Sequence, residues 1–320
     1  MVIRIGEKLK PYSHQPGTRV VLPLSHCVVQ AFPALFRIEG AGEWSLGVTG
    51  PVKEFTVELD LEHNCVWMWG HGNEGYYRLK LEASETGIAL TVDRAPAAGI
   101  AVGSKMLGRK EKLLLTGTGH VCTKPGHERL SLGNWKAQDW DLVQRRMDLK
   151  EIAPILFTLG QRVPTAKEAK GPVADVLKKD LKSFVRVGMS GLFVPRLNDE
   201  LHQGIVSEER GHGDPFSLLR EAYWQIRICL LDGMKVLPHL PHDWDAGRAT
   251  GLQTGVGEID IEWSKRAIRQ MEFRSVVNGE VTFQFQKGIG SCRVGKERLK
   301  NGEPLIVEAL RTYRFDRFQK

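Results

Sequence analysis

Carboxylates cluster in a glycine-rich stretch, Glu208–Asp214, which reads Glu-Glu-Arg-Gly-His-Gly-Asp. Hydrolysis of a glycosidic bond needs two carboxyl groups that flank the bond, and inverting enzymes hold them about 6.5–9.5 Å apart to leave room for a water. One of the two must stay protonated, which requires a raised pKa. If the chain hydrolyses glycosidic bonds, Glu208 or Glu209 is the candidate general acid and Asp214 is the candidate general base. His212, between them, would contact the substrate.

The same carboxylates also have a purely structural interpretation. Asp214 precedes Pro215, and an aspartate followed by a first-turn proline is typical of a helix start. In that case Asp214 only caps a helix, and Glu208 and Glu209 are solvated surface residues. Both interpretations stay open from the sequence.

A second group combines tryptophan with polar side chains, in Asn134-Trp135 and Asp139-Trp140-Asp141. Aromatic rings pack against the C–H groups of sugars, while amides and carboxylates bond their hydroxyls. The pattern predicts Asn134, Trp135 and Asp139 as substrate-binding residues. The alternative is that Trp140 belongs to a core and Asp139 begins a helix.

A third group, Trp67, Trp69, His71, Asn73 and Glu74, falls on a predicted strand and the turn after it. Alternation along a strand puts both tryptophans on one face, and we expect one of them to be a core residue.

No metal or cofactor is expected. His239 and His242 stand near each other, but the sequence offers no third ligand of suitable spacing nearby. It also contains no phosphate loop, dinucleotide fingerprint or nucleophile elbow.

Elements that could position these residues follow from hydrophobic periodicity. Up to about position 120, short alternating runs such as Glu54–Leu61 predict the strands of an antiparallel sandwich. Helical spacing then predicts helices over Gln138–Leu159, which Pro154 should kink or split, and over Pro172–Val187. A third helix should begin after Asp214 and stop near Gly233.

Strands return after that helix. Ala267–Arg274 and Glu280–Gln286 are predicted to pair as a hairpin through Asn278-Gly279. We therefore predict an α+β multi-domain chain with an N-terminal β-sandwich (1–132), a short helical region (133–234) and a small C-terminal β-domain (235–320).

The segment Asp232–Ser275 carries several motifs in order. They read Leu-Pro-His-Leu-Pro, Asp-Trp-Asp-Ala-Gly, Thr-Gly-Leu-Gln and Glu-Ile-Asp-Ile-Glu-Trp. This segment resembles the junction between the helical barrel and the C-terminal β-domain in the inverting α-L-fucosidases of glycoside hydrolase family 95. More loosely, it is similar to other (α/α)6-barrel glycosidases and phosphorylases. The resemblance implies a carbohydrate substrate and a two-carboxylate mechanism.

The chain departs from that family in two respects. A twelve-helix barrel needs on the order of 190 residues, and residues 133–232 supply about half of that, so the helical middle is expected to be an incomplete (α/α)6-like region. Aligned on Phe216, the family's catalytic aspartate falls on Gly213, and Asp214 stands one place later.

Composition limits the remaining possibilities. The net charge of +7 is spread along the chain, so we do not expect a nucleic-acid partner. Five scattered cysteines and a start without a secretion signal favour reduced thiols in the cytoplasm, and no apolar run is long enough for a membrane span.

Two functions remain, and the oligomeric state stays open. The first is a carbohydrate-active protein similar to glycoside hydrolases, with reduced or lost hydrolytic activity. The alternative is a non-catalytic binding or assembly protein in which a helical linker joins two β-domains. Two carboxyls facing each other across a cleft would favour the first.

Overall fold

The structure is a computed structural model that describes residues 2–116, 124–133, 149–164, 191–194 and 214–320. Strands occupy most of both ends, and the described part of the middle contains two helices. This confirms the predicted α+β class, with an N-terminal β-sandwich, a short helical middle and a C-terminal β-domain.

The N-terminal region consists of short strands arranged in three antiparallel sheets. The strands are β1 (Tyr12–Ser13), β2 (Thr18–Leu22), β3 (Cys27–Phe32), β4 (Leu35–Ile38), β5 (Gly42–Ser45), β6 (Lys53–Asp60), β7 (Cys65–Gly72), β8 (Gly75–Ser84), β9 (Gly87–Arg94), β10 (Ile100–Val102), β11 (Lys105–Leu107) and β12 (Lys112–Leu114). One sheet has the order β1-β6-β7-β8-β9-β12, the second has the order β2-β3-β4-β5, and β10 pairs with β11.

Alternation along β6 shows how the sandwich forms. Phe55, Val57 and Leu59 are buried, and they share one face of the strand. Strand β2 of the four-stranded sheet packs against β6, β7 and β8, and its Val20 and Leu22 are fully buried. The apolar faces of the two sheets therefore share one core.

Two described helices pack against each other. They are α1 (Leu149–Gly160) and α2 (Pro215–Leu230), and the rings of Phe157 and Tyr223 meet between them with centroids 5.2 Å apart. Helix α2 has the predicted bounds and buries its apolar stripe.

Helix α1 runs without interruption through Pro154, so the helix is not split there, and the alternative expectation of a kink stays a prediction. Proline at this position removes only the bond to the carbonyl of residue 150. The predicted helical residues 138–148 and 172–187 lie outside the described residues.

The C-terminal region is built on a seven-stranded antiparallel sheet. Its strands and the short ones around it are β13 (Arg129–Ser131), β14 (Leu231–Asp232), β15 (Lys235–Val236), β16 (Gly247–Thr254), β17 (Gly257–Ser264), β18 (Ala267–Ser275), β19 (Gly279–Thr282), β20 (Gln284–Phe285), β21 (Ser291–Val294), β22 (Glu297–Lys300), β23 (Pro304–Val307) and β24 (Thr312–Gln319). The large sheet has the order β13-β16-β17-β18-β24-β21-β22, and two small sheets have the orders β14-β15-β20 and β19-β23.

Strand β13 precedes both helices in the chain, yet it pairs with β16 at the edge of the large sheet. The C-terminal sheet therefore takes its first strand from residues before the helical region. The exact residue bounds of the three domains stay a prediction.

The predicted hairpin at Asn278-Gly279 is wrong. Strand β18 pairs with β17 and β24, whereas β19 pairs with β23. The side chain of Asn278 accepts a 2.8 Å hydrogen bond from the amide of Ala309, so this residue ties two loops together. An Asn-Gly pair favours a tight turn locally, but tertiary pairing decides which strands meet.

Neither helix in the described ranges has the length and apolar character needed to cross a membrane.

Three cysteines, Cys65, Cys229 and Cys292, are free thiols, and Cys27 is buried in the sandwich. Cys122 lies outside the described residues.

Candidate functional site

Asp214 caps the N-terminus of α2. Its backbone is extended (φ −66°, ψ 122°), and Oδ1 accepts a 3.3 Å hydrogen bond from the amide of Phe216. Oδ2 accepts from the amide of Ser217 at 3.1 Å and from the hydroxyl of Ser217 at 2.8 Å. Pro215 follows as the first helical residue. Both carboxylate oxygens of Asp214 are therefore engaged by the first turn of the helix.

The other predicted site residues lie outside the described residues: Glu208, Glu209, His212, Asn134, Trp135 and Asp139. The assignment of Asp214 as a general base stays a prediction, although its capping role is observed.

A buried carboxylate fixes the helix that Asp214 begins. Oε2 of Glu128 accepts a 2.7 Å hydrogen bond from the hydroxyl of Tyr223, and Oε1 accepts from Nε of Arg227 at 3.1 Å. Oε1 also accepts from the amide of Gln253, on β16, at 2.8 Å. Burial raises the pKa of Tyr223, and the adjacent carboxylate raises it further, so the phenol stays protonated and donates.

Helix α1 joins the same network through Gln161. Its amide group pairs with the backbone of Glu128, accepting at 3.2 Å and donating at 3.0 Å. One short segment before β13 thus connects both helices to the C-terminal sheet. This arrangement gives the N-terminus of α2 a fixed place relative to that sheet.

The tryptophan group on β7 is organised differently from the expectation. Trp67 and Trp69 are on the same outer face of the sheet, and both are half-buried, so the expectation of one core tryptophan is wrong. The guanidinium of Arg78 lies 4.1 Å from the ring centroid of Trp67 and 5.5 Å from that of Trp69. It occupies the space on the rings that a sugar would need for stacking.

The polar members of that group stabilise a turn. Oε2 of Glu74 accepts from the amide of Thr49 at 2.9 Å, and the side-chain amide of Asn73 donates to the carbonyl of Gly50 at 3.1 Å. His71 is exposed at the end of β7. These hydrogen bonds give Asn73 and Glu74 a structural role in the turn, so their presence does not require a ligand.

A pocket of about 220 Å³ lies where the N-terminal segment meets the large C-terminal sheet. Among the described residues its lining consists of Glu7, Ser131, Gly133, Ala246, Gly247, Arg248, Glu262, Trp263 and Ser264. The strand register sets Ser131 opposite Arg248, and Arg248 opposite Glu262, so these three residues form a row across β13, β16 and β17.

Glu7 closes this row from the N-terminal side. The hydroxyl of Ser131 donates a 2.7 Å hydrogen bond to Oε1 of Glu7. Nη2 of Arg248 lies 3.6 Å from Oε1 of Glu262, and these side chains are 45% and 25% exposed. The pocket is therefore lined by two carboxylates and one guanidinium, and it is partly open to solvent.

Sequence reasoning missed the pocket because its members come from three distant segments. Glu7 and Ser131 are separated by 124 positions, and neither has a motif around it. The signal in the sequence was Glu262-Trp263, at the end of the Glu-Ile-Asp-Ile-Glu-Trp strand that carries the family resemblance.

Within the described ranges, His, Cys, Asp and Glu form no group of three or more that could hold a metal ion.

Comparison with known families gives one match. Residues 230–311 match the model described as glycoside hydrolase family 95, C-terminal domain. The match begins at the last residue of α2, covers about a quarter of the chain and confirms the resemblance of the C-terminal region. A comparison with curated proteins found no match to this chain.

Proposed function

We propose that this chain is a carbohydrate-active protein similar to glycoside hydrolases, with reduced or lost hydrolytic activity. The observation that carries the proposal is the match of residues 230–311 to the C-terminal domain of glycoside hydrolase family 95. That domain joins directly to α2, and the opposite end of α2 begins at the predicted general base, Asp214. The protein would act in the cytoplasm on an oligosaccharide.

The capping geometry of Asp214 supports the loss of activity. A general base in an inverting glycosidase must take a proton from the attacking water. Here both oxygens of Asp214 accept hydrogen bonds from the first turn of α2. In the resembled family the catalytic aspartate falls on Gly213. A shift of one residue turns a side chain by about 100° on a helix, and a displacement of about 1 Å can cost about a hundredfold in rate.

If hydrolysis persists, the proposal assigns it to an inverting two-carboxylate mechanism. Glu208 or Glu209 would protonate the leaving oxygen, and Asp214 would activate the water. Asn134, Trp135, Asp139 and His212 would contact the sugar.

A hydrolysis assay together with a glycan array tests this function. We expect binding of at least one oligosaccharide and slow or no release of nitrophenol from nitrophenyl fucosides and glucosides. Asp214→Asn keeps the cap but removes the charge, so it should abolish any residual hydrolysis. Asp232→Asn, which changes an exposed carboxylate on β14, is the control. Brisk hydrolysis that survives Asp214→Asn would contradict the site assignment.

The alternative is a non-catalytic assembly protein, and exposed apolar side chains favour it. Val276 and Leu310 are 62% and 93% exposed, and the amide of Leu310 donates to the carbonyl of Ser275, next to Val276. A monodisperse dimer by light scattering that Leu310→Asp converts to a monomer, in a chain that binds no glycan, would favour this alternative.

A further inference from the structure

The pocket between Glu7 and the row Ser131–Arg248–Glu262 combines an empty space with converging polar groups. We propose that it binds one neutral monosaccharide unit. This inference rests on the proposed carbohydrate function, and it adds a binding site that the predicted catalytic residues do not include.

The first argument comes from an acceptor without a donor. Oε2 of Glu7 is buried, and it has no hydrogen-bond partner in the described structure, while Oε1 is held by Ser131. A buried carboxylate oxygen without a donor has lost its hydration and has gained no hydrogen bond in return, which is unfavourable. Oε2 is closed to solvent in this conformation, so a ligand hydroxyl supplies that donor only if the Glu7 side chain turns the oxygen toward the pocket.

Charge selects the class of ligand. Glu7 and Glu262 accept hydrogen bonds from hydroxyls, and Arg248 donates to hydroxyl or ring oxygens. Two carboxylates against one guanidinium disfavour an anionic ligand such as a uronate or a sugar phosphate. The set of donors and acceptors therefore fits a polyhydroxylated molecule that carries no negative charge.

Size and shape limit the ligand to one ring. The volume of about 220 Å³ is below the roughly 300 Å³ at which pockets for drug-sized molecules begin. Gly247 faces Trp263 across β16 and β17, and a Cβ there would overlap the ring of Trp263 and crowd the carbonyl of Ser131, so the sheet is closely packed at this position. Trp263 also lines the pocket, but it is buried and offers almost no surface for stacking.

Two other surfaces are weaker candidates. The outer face of β7 has Arg78 lying over both of its tryptophans. The exposed apolar residues Val276 and Leu310 offer no feature that identifies what would cover them.

Two pocket variants of the full chain test the site. Glu262→Gln removes one acceptor charge from the pocket, and Ala246→Phe fills its mouth from an exposed position without changing charge. Glu297→Gln is the control, because Glu297 is exposed on β22 of the same sheet. The probes are methyl glucoside, methyl galactoside and methyl fucoside, with glucuronate and glucosamine as charged comparisons, measured by saturation-transfer NMR and calorimetry. Equal urea midpoints would establish that all variants are folded.

At least one neutral methyl glycoside should bind to the native chain with a millimolar Kd. Each pocket variant should weaken it at least about tenfold, which corresponds to about 1.4 kcal/mol, while Glu297→Gln leaves it unchanged. Glucuronate should bind more weakly than the neutral sugar. Binding that survives both pocket variants overturns the site, and so does preferential binding of glucosamine or glucuronate.

The array result separates this inference from the proposed function. Oligosaccharide binding on the array that is insensitive to Glu262→Gln and Ala246→Phe would refute the pocket alone. If the native chain binds neither array glycans nor any methyl glycoside, both proposals fail.

Discussion

The hydroxyl of Tyr223, on α2, donates a 2.7 Å hydrogen bond to the carboxylate of Glu128, which stands 95 positions earlier in the chain. Glu128 is 5% exposed, and Arg227 and the amide of Gln253 donate to the same carboxylate. A buried carboxylate is tolerated only when donors surround it. This contact therefore links the helical region to the β-domain that matches the glycosidase family.

Removing donors from Glu128 should destabilise the protein. Tyr223→Phe deletes one hydrogen bond to a buried charge, and we expect a loss of about 1.5–3 kcal/mol in the free energy of unfolding. Glu128→Ala leaves Arg227 without its partner and should cost about 3–5 kcal/mol. Urea denaturation followed by circular dichroism measures both values.

The matched control for this network is an exposed ion pair. Glu308 and Arg311 are 68% and 59% exposed, so Glu308→Gln should change stability by less than about 1 kcal/mol. A Tyr223→Phe protein as stable as the control would show that the contact contributes nothing.

The contribution of Asp214 as a helix cap should be separable from the contribution of its negative charge. Asp214→Ala removes the acceptor for the first-turn amides and should lower stability by about 1 kcal/mol. Asp214→Asn retains a capping oxygen and should stay close to the native chain. Thermal unfolding of both variants gives the comparison. If the alanine variant is as stable as the asparagine variant, the cap does not stabilise the helix.

Local patterns in the sequence were sufficient to predict an element where one of its faces is buried. Phe55, Val57 and Leu59 alternate, and β6 buries them together. The Asp-Pro start of α2 was equally clear, because capping and first-turn proline are local effects.

Partners at long range could not be predicted. Asn278-Gly279 is a local hairpin signal, but β19 pairs with β23 because tertiary pairing overrides turn preference. Ser131 joins the C-terminal sheet through β13, and Glu7 reaches it from the start of the chain. No periodicity in one sequence reveals that these two residues bond.

Burial should slow the reaction of the cysteine thiols with alkylating reagents. Desolvation raises the pKa of Cys65 to about 12 and the pKa values of Cys229 and Cys292 to about 11. At pH 8 about one thiol in a thousand or fewer is then ionised at these positions, so they should react slowly with iodoacetamide in the native protein. All five cysteines should react after denaturation without a reductant. Mass spectrometry of labelled peptides provides the measurement, and fast native labelling of Cys65 would contradict the fold around it.

Acid should weaken the protein partly through Asp60. Burial alone would raise the pKa of this carboxyl, but hydrogen bonds from Lys10 and His63 outweigh burial, and the pKa ends below its ordinary value. A group whose folded pKa is depressed stabilises the protein above its unfolded pKa of about 3.9, and that contribution disappears as the pH falls through the lower, folded value.

Asp60→Asn isolates this effect. The variant should be less stable than the native chain at pH 7 by about 1.5–3 kcal/mol, and the difference should shrink below about pH 4. Burial raises the pKa of the neighbouring Glu58, which acts in the opposite direction, so only the difference between the two proteins reports on Asp60. Urea midpoints from pH 3 to 7 measure it, with Asp232→Asn as the exposed control. A difference that does not depend on pH would contradict the assignment.

Gly247 is a position on the large sheet that should tolerate an added methyl group poorly. A Cβ built there would overlap the ring of Trp263 and lie 2.6 Å from the carbonyl oxygen of Ser131. Neither neighbour can move freely, because Trp263 is buried with its indole N–H donating to the carbonyl of Trp244 at 3.0 Å, and Ser131 belongs to β13. We therefore expect Gly247→Ala to cost about 1–3 kcal/mol, the usual range for overpacking. Gly255→Ala meets nothing within 4 Å and should stay within about 0.5 kcal/mol of the native chain. Equal urea midpoints for the two alanine variants would mean that the ring of Trp263 and the carbonyl of Ser131 do not lie as close to Gly247 as described.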